Sequence, residues 1–222
     1  MKHREENEMR SYLTIIVLLF IAALTSCADP SANKQKATVA NAAPESNVPV
    51  STGAETLAIS PENSKVEFVA SKVTRSHNGS FKQFSGTLDF VPKNWPGSKV
   101  TIDIDTASVE TDEPQLTGHL KTADFFDVAK FPKATFVSTK IEPGATGGET
   151  QTLTVTGNFD LHGVKKSITF PATVKVTPDS VAVDAEFSIN RKDFRLVYAG
   201  KADDLIHDLV VIKLNLNVPR KK

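Results

Sequence analysis

From Leu57 to Val218 the dominant pattern is a period of two, runs in which apolar residues recur at alternate positions, and this period constrains the fold more than any other feature of the chain. Val66, Phe68 and Ala70 alternate with Lys65, Glu67 and Val69; Phe84, Gly86, Leu88 and Phe90 alternate with Ser85, Thr87 and Asp89. The pattern returns in Val100, Ile102 and Ile104, in Leu153, Val155 and Phe159, and in Val164, Ile168, Phe170 and Val174. It closes with Val181, Val183, Ala185, Phe187 and Ile189, then Ile212, Leu214, Leu216 and Val218. Successive side chains of a strand point to opposite faces, so each run has one buried and one wet face, as antiparallel strands do. About eight strands are predicted.

Turn-forming residues punctuate the runs at Asn78-Gly79, Pro92 to Gly97, Pro143 to Gly148, His162-Gly163 and Pro178-Asp179. Their cause is steric, a positive or a fixed φ. His162-Gly163 predicts a tight hairpin, and Pro143 to Gly148 a mobile loop. Residues 112–122 break the alternation, and Leu116 with Leu120 at i and i+4 predicts one short helix leading into Asp124-Phe125-Phe126-Asp127. The class is all-β, a sandwich or a barrel. Thirteen Phe against two Tyr and one Trp give a large apolar interior, which periodicity alone leaves open as a solid core or a cavity.

The chain has 222 residues, 40% hydrophobic and 23% charged, the composition of a globular domain with flanking segments. Lys+Arg and Asp+Glu balance at 26 each, so no basic field draws it to nucleic acid. A single cysteine, Cys27, excludes an internal disulfide framework and a multi-thiolate metal site. Its position explains it. Residues 1–12 are charged and polar, and the apolar run Leu13 to Leu24 falls short of the roughly 20 residues that cross a bilayer. The run ends in Leu24-Thr25-Ser26-Cys27, which resembles a bacterial lipobox. Residues 1–26 are thus read as a lipoprotein signal peptide and Cys27 as the acylated (palmitate-bearing) new N-terminus, held on a membrane by its acyl chains. Ala28 stands where an aspartate would mark inner-membrane retention, which points to the periplasmic face of the outer membrane. Residues 27–56 lack aromatics and apolar period, and are read as a flexible tether with a span of roughly 30 Å. Residues 57–219 are the β domain.

Ser76-His77-Asn78-Gly79-Ser80-Phe81, Phe84-Ser85-Gly86, and Leu116 to Asp127 with Phe131-Pro132 and Ala134-Thr135-Phe136 resemble the YceI-like family. So does Gly157-Asn158-Phe159-Asp160-Leu161-His162-Gly163-Val164-Lys165-Lys166, with matching order and spacing over Leu57 to Val218. The resemblance implies a lipocalin-like antiparallel β-barrel, periplasmic or secreted, that holds a polyisoprenoid such as a quinone tail or polyprenol in an apolar pore. It turns the expectation from solid core to tunnel. Burial at about 25 cal/mol per Å² favours such a tail without any charged contact. The inward candidates for its lining are Val66, Phe68, Phe84, Leu88, Phe136, Val155, Phe159, Ile168, Phe170, Phe187 and Leu214. One departure from the family pattern is Arg195-Leu196 after Phe194, where a smaller residue, often glycine, is expected; an arginine there would narrow or charge the tunnel mouth.

No phosphate-binding glycine loop, His-Glu-x-x-His helix or nucleophile elbow is present, so no catalytic residue, metal ligand or cofactor is assigned. His77, His119, His162 and His207 lack the short spacing of a metal pair. His119 is read as holding the short helix to the barrel. Asp124 with Asp127, and Asp103 with Asp105, read as solvated carboxylates or caps. Asn190-Arg191-Lys192-Asp193 offers a cationic contact to a ligand head group, and Pro219-Arg220-Lys221-Lys222 reads as a frayed end. Three functions follow, in order: a non-catalytic carrier or sequestering protein for a long apolar lipid, an envelope interaction module with a solid barrel, and an enzyme at the barrel rim. A homodimer remains an open partner in each.

Overall fold

The computed structural model describes residues 29–44, 53–147 and 150–220. The expected signal peptide (1–26), Cys27, Ala28 and residues 45–52 of the expected tether lie outside the described residues. The strands are β1 (Thr38–Asn41), β2 (Glu55–Ile59), β3 (Ser64–Lys72), β4 (Arg75–Phe81), β5 (Phe84–Phe90), β6 (Lys99–Asp105) and β7 (Val109–Thr111). They continue as β8 (Lys133–Gly147), β9 (Thr150–Leu161), β10 (Val164–Val176), β11 (Ser180–Asn190), β12 (Gly200–Lys201), β13 (Asp204–Leu205) and β14 (Leu209–Pro219). Among the described residues one α-helix, α1 (Pro114–Leu120), falls where the i, i+4 leucines predicted it.

Twelve strands form one strongly curled antiparallel sheet in the order β2-β5-β6-β8-β9-β10-β11-β14-β3-β4-β7, with β1 added onto β10; β12 and β13 form a separate ribbon. This exceeds the predicted eight because three staves are short and because β4 and β5 are one segment bent at Lys82-Gln83. That segment pairs with β3 before the bend and β6 after it. The fold is a lipocalin-like β-barrel whose inward residues meet across the ladders: Phe136 opposite Phe159, Phe187 opposite Ile212, and Ile212 opposite Phe68.

The His162-Gly163 hairpin forms as expected, with φ of 53° and 70° at its two residues, the left-handed pair that a two-residue turn requires. Two other turn assignments are corrected. Asn78-Gly79 lies inside β4, where Gly79 faces Phe68 across the ladder. A Cβ on Gly79 would stand 2.1 Å from Phe68 Cζ, so glycine is there to admit the ring. Pro143 to Gly147 belongs to β8, paired to Leu153, Gln151 and Thr150 across a register shift that accommodates the proline.

The tether reading is corrected for residues 29–44. β10 and β11 pair only over Thr173–Val176 and Val181–Asp184, and they separate beyond that. Residues 35–41 fill the opening. Ser188 donates to Gln35 O at 2.9 Å and accepts from Ala37 N at 2.8 Å, while Thr38–Asn41 pair with Lys166–Thr169 of β10. Ala37 is buried in the main core, and the Asn158 side chain bonds both N and O of Ala43. Backbone pairing carries this docking, so no apolar period was needed to encode it. The C-terminus is likewise tied down to Arg220, whose guanidinium donates to Glu55 Oε2 at 2.9 Å and Thr177 O at 3.0 Å.

Candidate functional site

The barrel interior differs along its length. At the end formed by β2, β5 and the far ends of β10, β11 and β14, Leu57, Leu88, Phe90, Val174, Val181 and Val218 are sealed from solvent and Trp95 packs on Phe90 at 5.3 Å. Toward the opposite end lies an apolar cavity of about 80 Å³. Around it Phe170 stacks on Phe187 (centroids 4.1 Å, planes 12° apart) and touches Phe136 at 5.7 Å, while Phe68 meets Phe81 at 5.8 Å. Offset and tilted pairs of this kind add to burial without fixing a rigid wall.

Eight of the predicted lining residues border the cavity: Val66, Phe68, Phe136, Phe159, Ile168, Phe170, Phe187 and Leu214. Phe84, Leu88 and Val155 do not; all three are buried in the surrounding core, and Leu88 belongs to the sealed end. Alternation marks the inward face and is silent about where along the barrel a void falls. The lining also includes Ile102, Ile104, Ile189 and Ile212, which stood in the inward phase of their strands, together with Phe81 and Glu67. Glu67 sits on the polar phase of β3 and carried no sequence signal.

Phe68 also borders a second depression, a surface groove of about 510 Å³ beside α1 that includes Leu116, Leu120, Phe125 and Ile206 with Lys72, Arg75, His77 and His119. Phe68 therefore separates the cavity from the groove. His77 bonds Asp112 Oδ1 at 2.8 Å and receives Arg75 Nε at 3.1 Å. The Asp112 carboxyl is held below its ordinary range: burial works the other way, but the Asn78 N–H, at 2.9 Å, and His77 outweigh it. His119 bonds Asp124 at 2.7 Å and packs edge-on against Phe125 and Tyr198, so it ties α1 to the loop that follows it and to the excursion between β11 and β14 rather than to a barrel strand. Of the four described histidines, then, only His77 and His119 share the groove; His162 packs on Phe131, and His207 hydrogen-bonds Asp29. Among the described residues no cluster of His, Cys, Asp or Glu could hold a metal.

The cationic hairpin reading at Asn190 to Asp193 is corrected. Arg191 is buried, and its guanidinium donates to the carbonyls of Leu196, His207 and Ile206 and to Asp208. Those donors are spent on the loop. Arg195 has φ 60° and ψ 18°, the left-handed cap that explains the expected glycine, and its side chain is exposed, so it does not narrow the cavity. Asp105 caps the turn after β6, accepting from Ala107 N at 2.9 Å.

Residues 57–218 match the model of the YceI-like domain. Protein YceI of Salmonella arizonae is 39% identical over 124 residues, which are 53% of this chain and 62% of that protein; the chain thus spans less than two thirds of the curated relatives it matches. Among solved structures, BcnA of Burkholderia cenocepacia superposes with a TM-score of 0.65 at 28% identity, over 72% of this chain and 98% of that one. A polyisoprenoid binding domain from Saccharophagus degradans, implicated in plant cell wall breakdown, gives 0.61 at 21% identity, over 76% and 99%. The YceI protein of Campylobacter jejuni gives 0.52 at 27% identity, over 65% and 84%. With barrel, cavity and family model in agreement over the same residues, the chain belongs to the YceI-like family.

Proposed function

We propose that this protein binds the tail of a polyisoprenoid or similar long apolar lipid in its barrel cavity and carries or sequesters it without bond chemistry. The observation that carries the reading is the wholly hydrocarbon character of the cavity wall apart from Glu67, joined through Phe68 to a groove with polar groups at its border. An apolar tail would lie in the cavity, and a polar head would face His77, Arg75 and Lys72. A fold neighbour described as a polyisoprenoid binding domain supports the ligand class. In the same proposal, Cys27 bears the acyl anchor and the domain works at the periplasmic face of the outer membrane.

The cavity, at about 80 Å³, is smaller than the roughly 300–1,000 Å³ that encloses a drug-sized ligand, so a long tail enters by displacing rings. The tilted contacts of Phe68, Phe81 and Phe136 are the ones that would open. The same small volume favours a second reading, an interaction module whose barrel is a support only. Native mass spectrometry on the full chain purified gently from membranes, with organic extraction of what co-purifies, decides between them. One isoprenoid lipid per chain is expected. A ligand-free mass, with no uptake of offered quinones or polyprenols, would leave the module as the better account.

A further inference from the structure

Of the described residues, four large apolar side chains stand exposed: Val73 (59%), Val197 (62%), Leu205 (49%) and Val176 (40%). Three of them gather at one end. Val73 turns between β3 and β4 and donates its N–H to Leu205 O at 3.1 Å; Val197 and Leu205 both belong to the excursion between β11 and β14. This is the cavity end, since the groove that Phe68 shares with the cavity also includes Lys72, Lys201 and Ile206. Val176 stands at the sealed end, opposite Val181.

The N-terminal segment leads to the same place. Asp29 bonds His207 Nδ1 at 3.3 Å and Ser31 N and Oγ at 2.9 and 2.7 Å, and with Leu205, Ile206 and Asp208 it borders one hollow. Cys27 precedes Asp29 by two residues, a reach of at most about 7 Å in an extended chain. The docked segment 29–44 therefore brings the chain to Leu205 before it leaves the described structure.

We propose that the rim formed by Val73, Val197 and Leu205 is a membrane-docking surface: it rests on the bilayer that holds the Cys27 anchor, with the cavity end facing the lipid and the sealed end facing away. This rests on the lipid-anchor reading. The partner is a lipid surface because an exposed apolar cluster beside an acyl anchor must meet the bilayer that the anchor enters. The charges of the 191–208 excursion balance, with Arg191, Lys192, Arg195 and Lys201 against Asp193, Asp203, Asp204 and Asp208, so contact is apolar and insensitive to salt. Lipid then passes between bilayer and cavity through the groove without crossing water.

The test uses the full chain, purified from membranes as the Val197→Cys, Leu205→Cys and Val176→Cys variants, each labelled with a polarity-sensitive fluorophore. Each is reconstituted into phosphatidylethanolamine–phosphatidylglycerol vesicles with brominated acyl chains. Blue-shifted emission with several-fold quenching at 197 and 205 and none at 176, unchanged at high salt, is the expected result. Protein that floats with the vesicles while all three labels stay in water overturns the docking surface and leaves the anchor standing. Protein that does not float overturns anchor and surface together. Neither result depends on whether the cavity holds a lipid, which native mass spectrometry reads separately.

Discussion

The two ends of the barrel are built from the same alternating strands and differ in how their inward residues are used. At the sealed end Leu57, Leu88, Phe90, Val181 and Val218 are almost wholly excluded from solvent, and Trp95 and Arg220 close over Phe90. At the cavity end Phe81, Phe159, Ile212 and Leu214 are only partly buried, and aromatic contacts replace close aliphatic packing. Each strand that spans both ends, β10 and β14 above all, is packed tightly in one half and loosely in the other. Stability is concentrated in the first half and adaptability in the second.

The largest expected effect sets the two ends against each other. Phe90→Ala should cost about 3–5 kcal/mol, the usual figure for a buried phenylalanine in a close-packed site. Phe68→Ala, whose ring already borders a void and a groove, should cost less than half of that in urea unfolding. It should also change lipid uptake, which Phe90→Ala measured under folding conditions should not. Equal losses would mean that the two ends are packed alike and that the cavity is not a looser region.

A second comparison concerns the contact of Gly79 with Phe68. Gly79→Ala places a methyl group against the ring and should destabilise by about 1–3 kcal/mol, the cost of overpacking. Combined with Phe68→Leu, the loss should shrink, since the shorter side chain leaves the space. Additive losses in this double-mutant cycle would show that Gly79 is needed for its backbone and not for the ring.

The docked N-terminal segment gives a third. Val39 pairs with Ile168 in β1 and β10, so Val39→Pro should release residues 35–41 at a cost of about 1–2 kcal/mol through one lost ladder bond and its neighbours. Hydrogen exchange at Ala37 and Ser188 should speed up markedly, with β11–β14 amides unaffected. If Ala37 and Ser188 keep their protection, the segment is held by side chains and the gap between β10 and β11 is not closed by backbone pairing.

How much of this was legible in the sequence follows from what each feature is made of. The inward face was legible because period two leaves no choice, and His162-Gly163 because two adjacent left-handed residues have one common use. Asn78-Gly79 reads as a turn in sequence because glycine has two uses, a positive φ and a close approach, and composition does not say which. Pro143 reads as a loop in sequence because a strand edge with a shifted register tolerates it only in three dimensions. β1 left no trace, since a four-residue strand docked through its backbone needs no apolar alternation. Of the cavity, the rings were legible and its position was not: Leu88 and Phe68 look alike in sequence and part company only when the barrel closes.

At the groove, Asp112 offers a pH test. Its carboxyl is held below the ordinary value in the folded state, so as an anion it stabilises the fold at neutral pH, fully so above the unfolded value of about 3.9. That contribution fades as pH falls below the unfolded value and through the folded one. The stability gap between the protein and Asp112→Asn should therefore be present at pH 7 and close on acidification below pH 4. A gap that persists there would assign the effect to hydrogen bonding alone.

The smallest effect is expected at Arg195, and its sign is the informative part. A left-handed backbone costs an L-residue roughly 1–2 kcal/mol, while glycine there forfeits somewhat less in unfolded-state entropy. Arg195→Gly should thus raise stability by up to about 1 kcal/mol. Because the Arg195 side chain is exposed and borders neither the cavity nor the groove, lipid uptake should not change. A loss of uptake would place the arginine at the mouth after all, as the sequence departure had suggested. Unchanged uptake with a gain in stability would make it a tolerated strain in the excursion between β11 and β14, at the end of the barrel where packing is loosest and such strain costs the fold least.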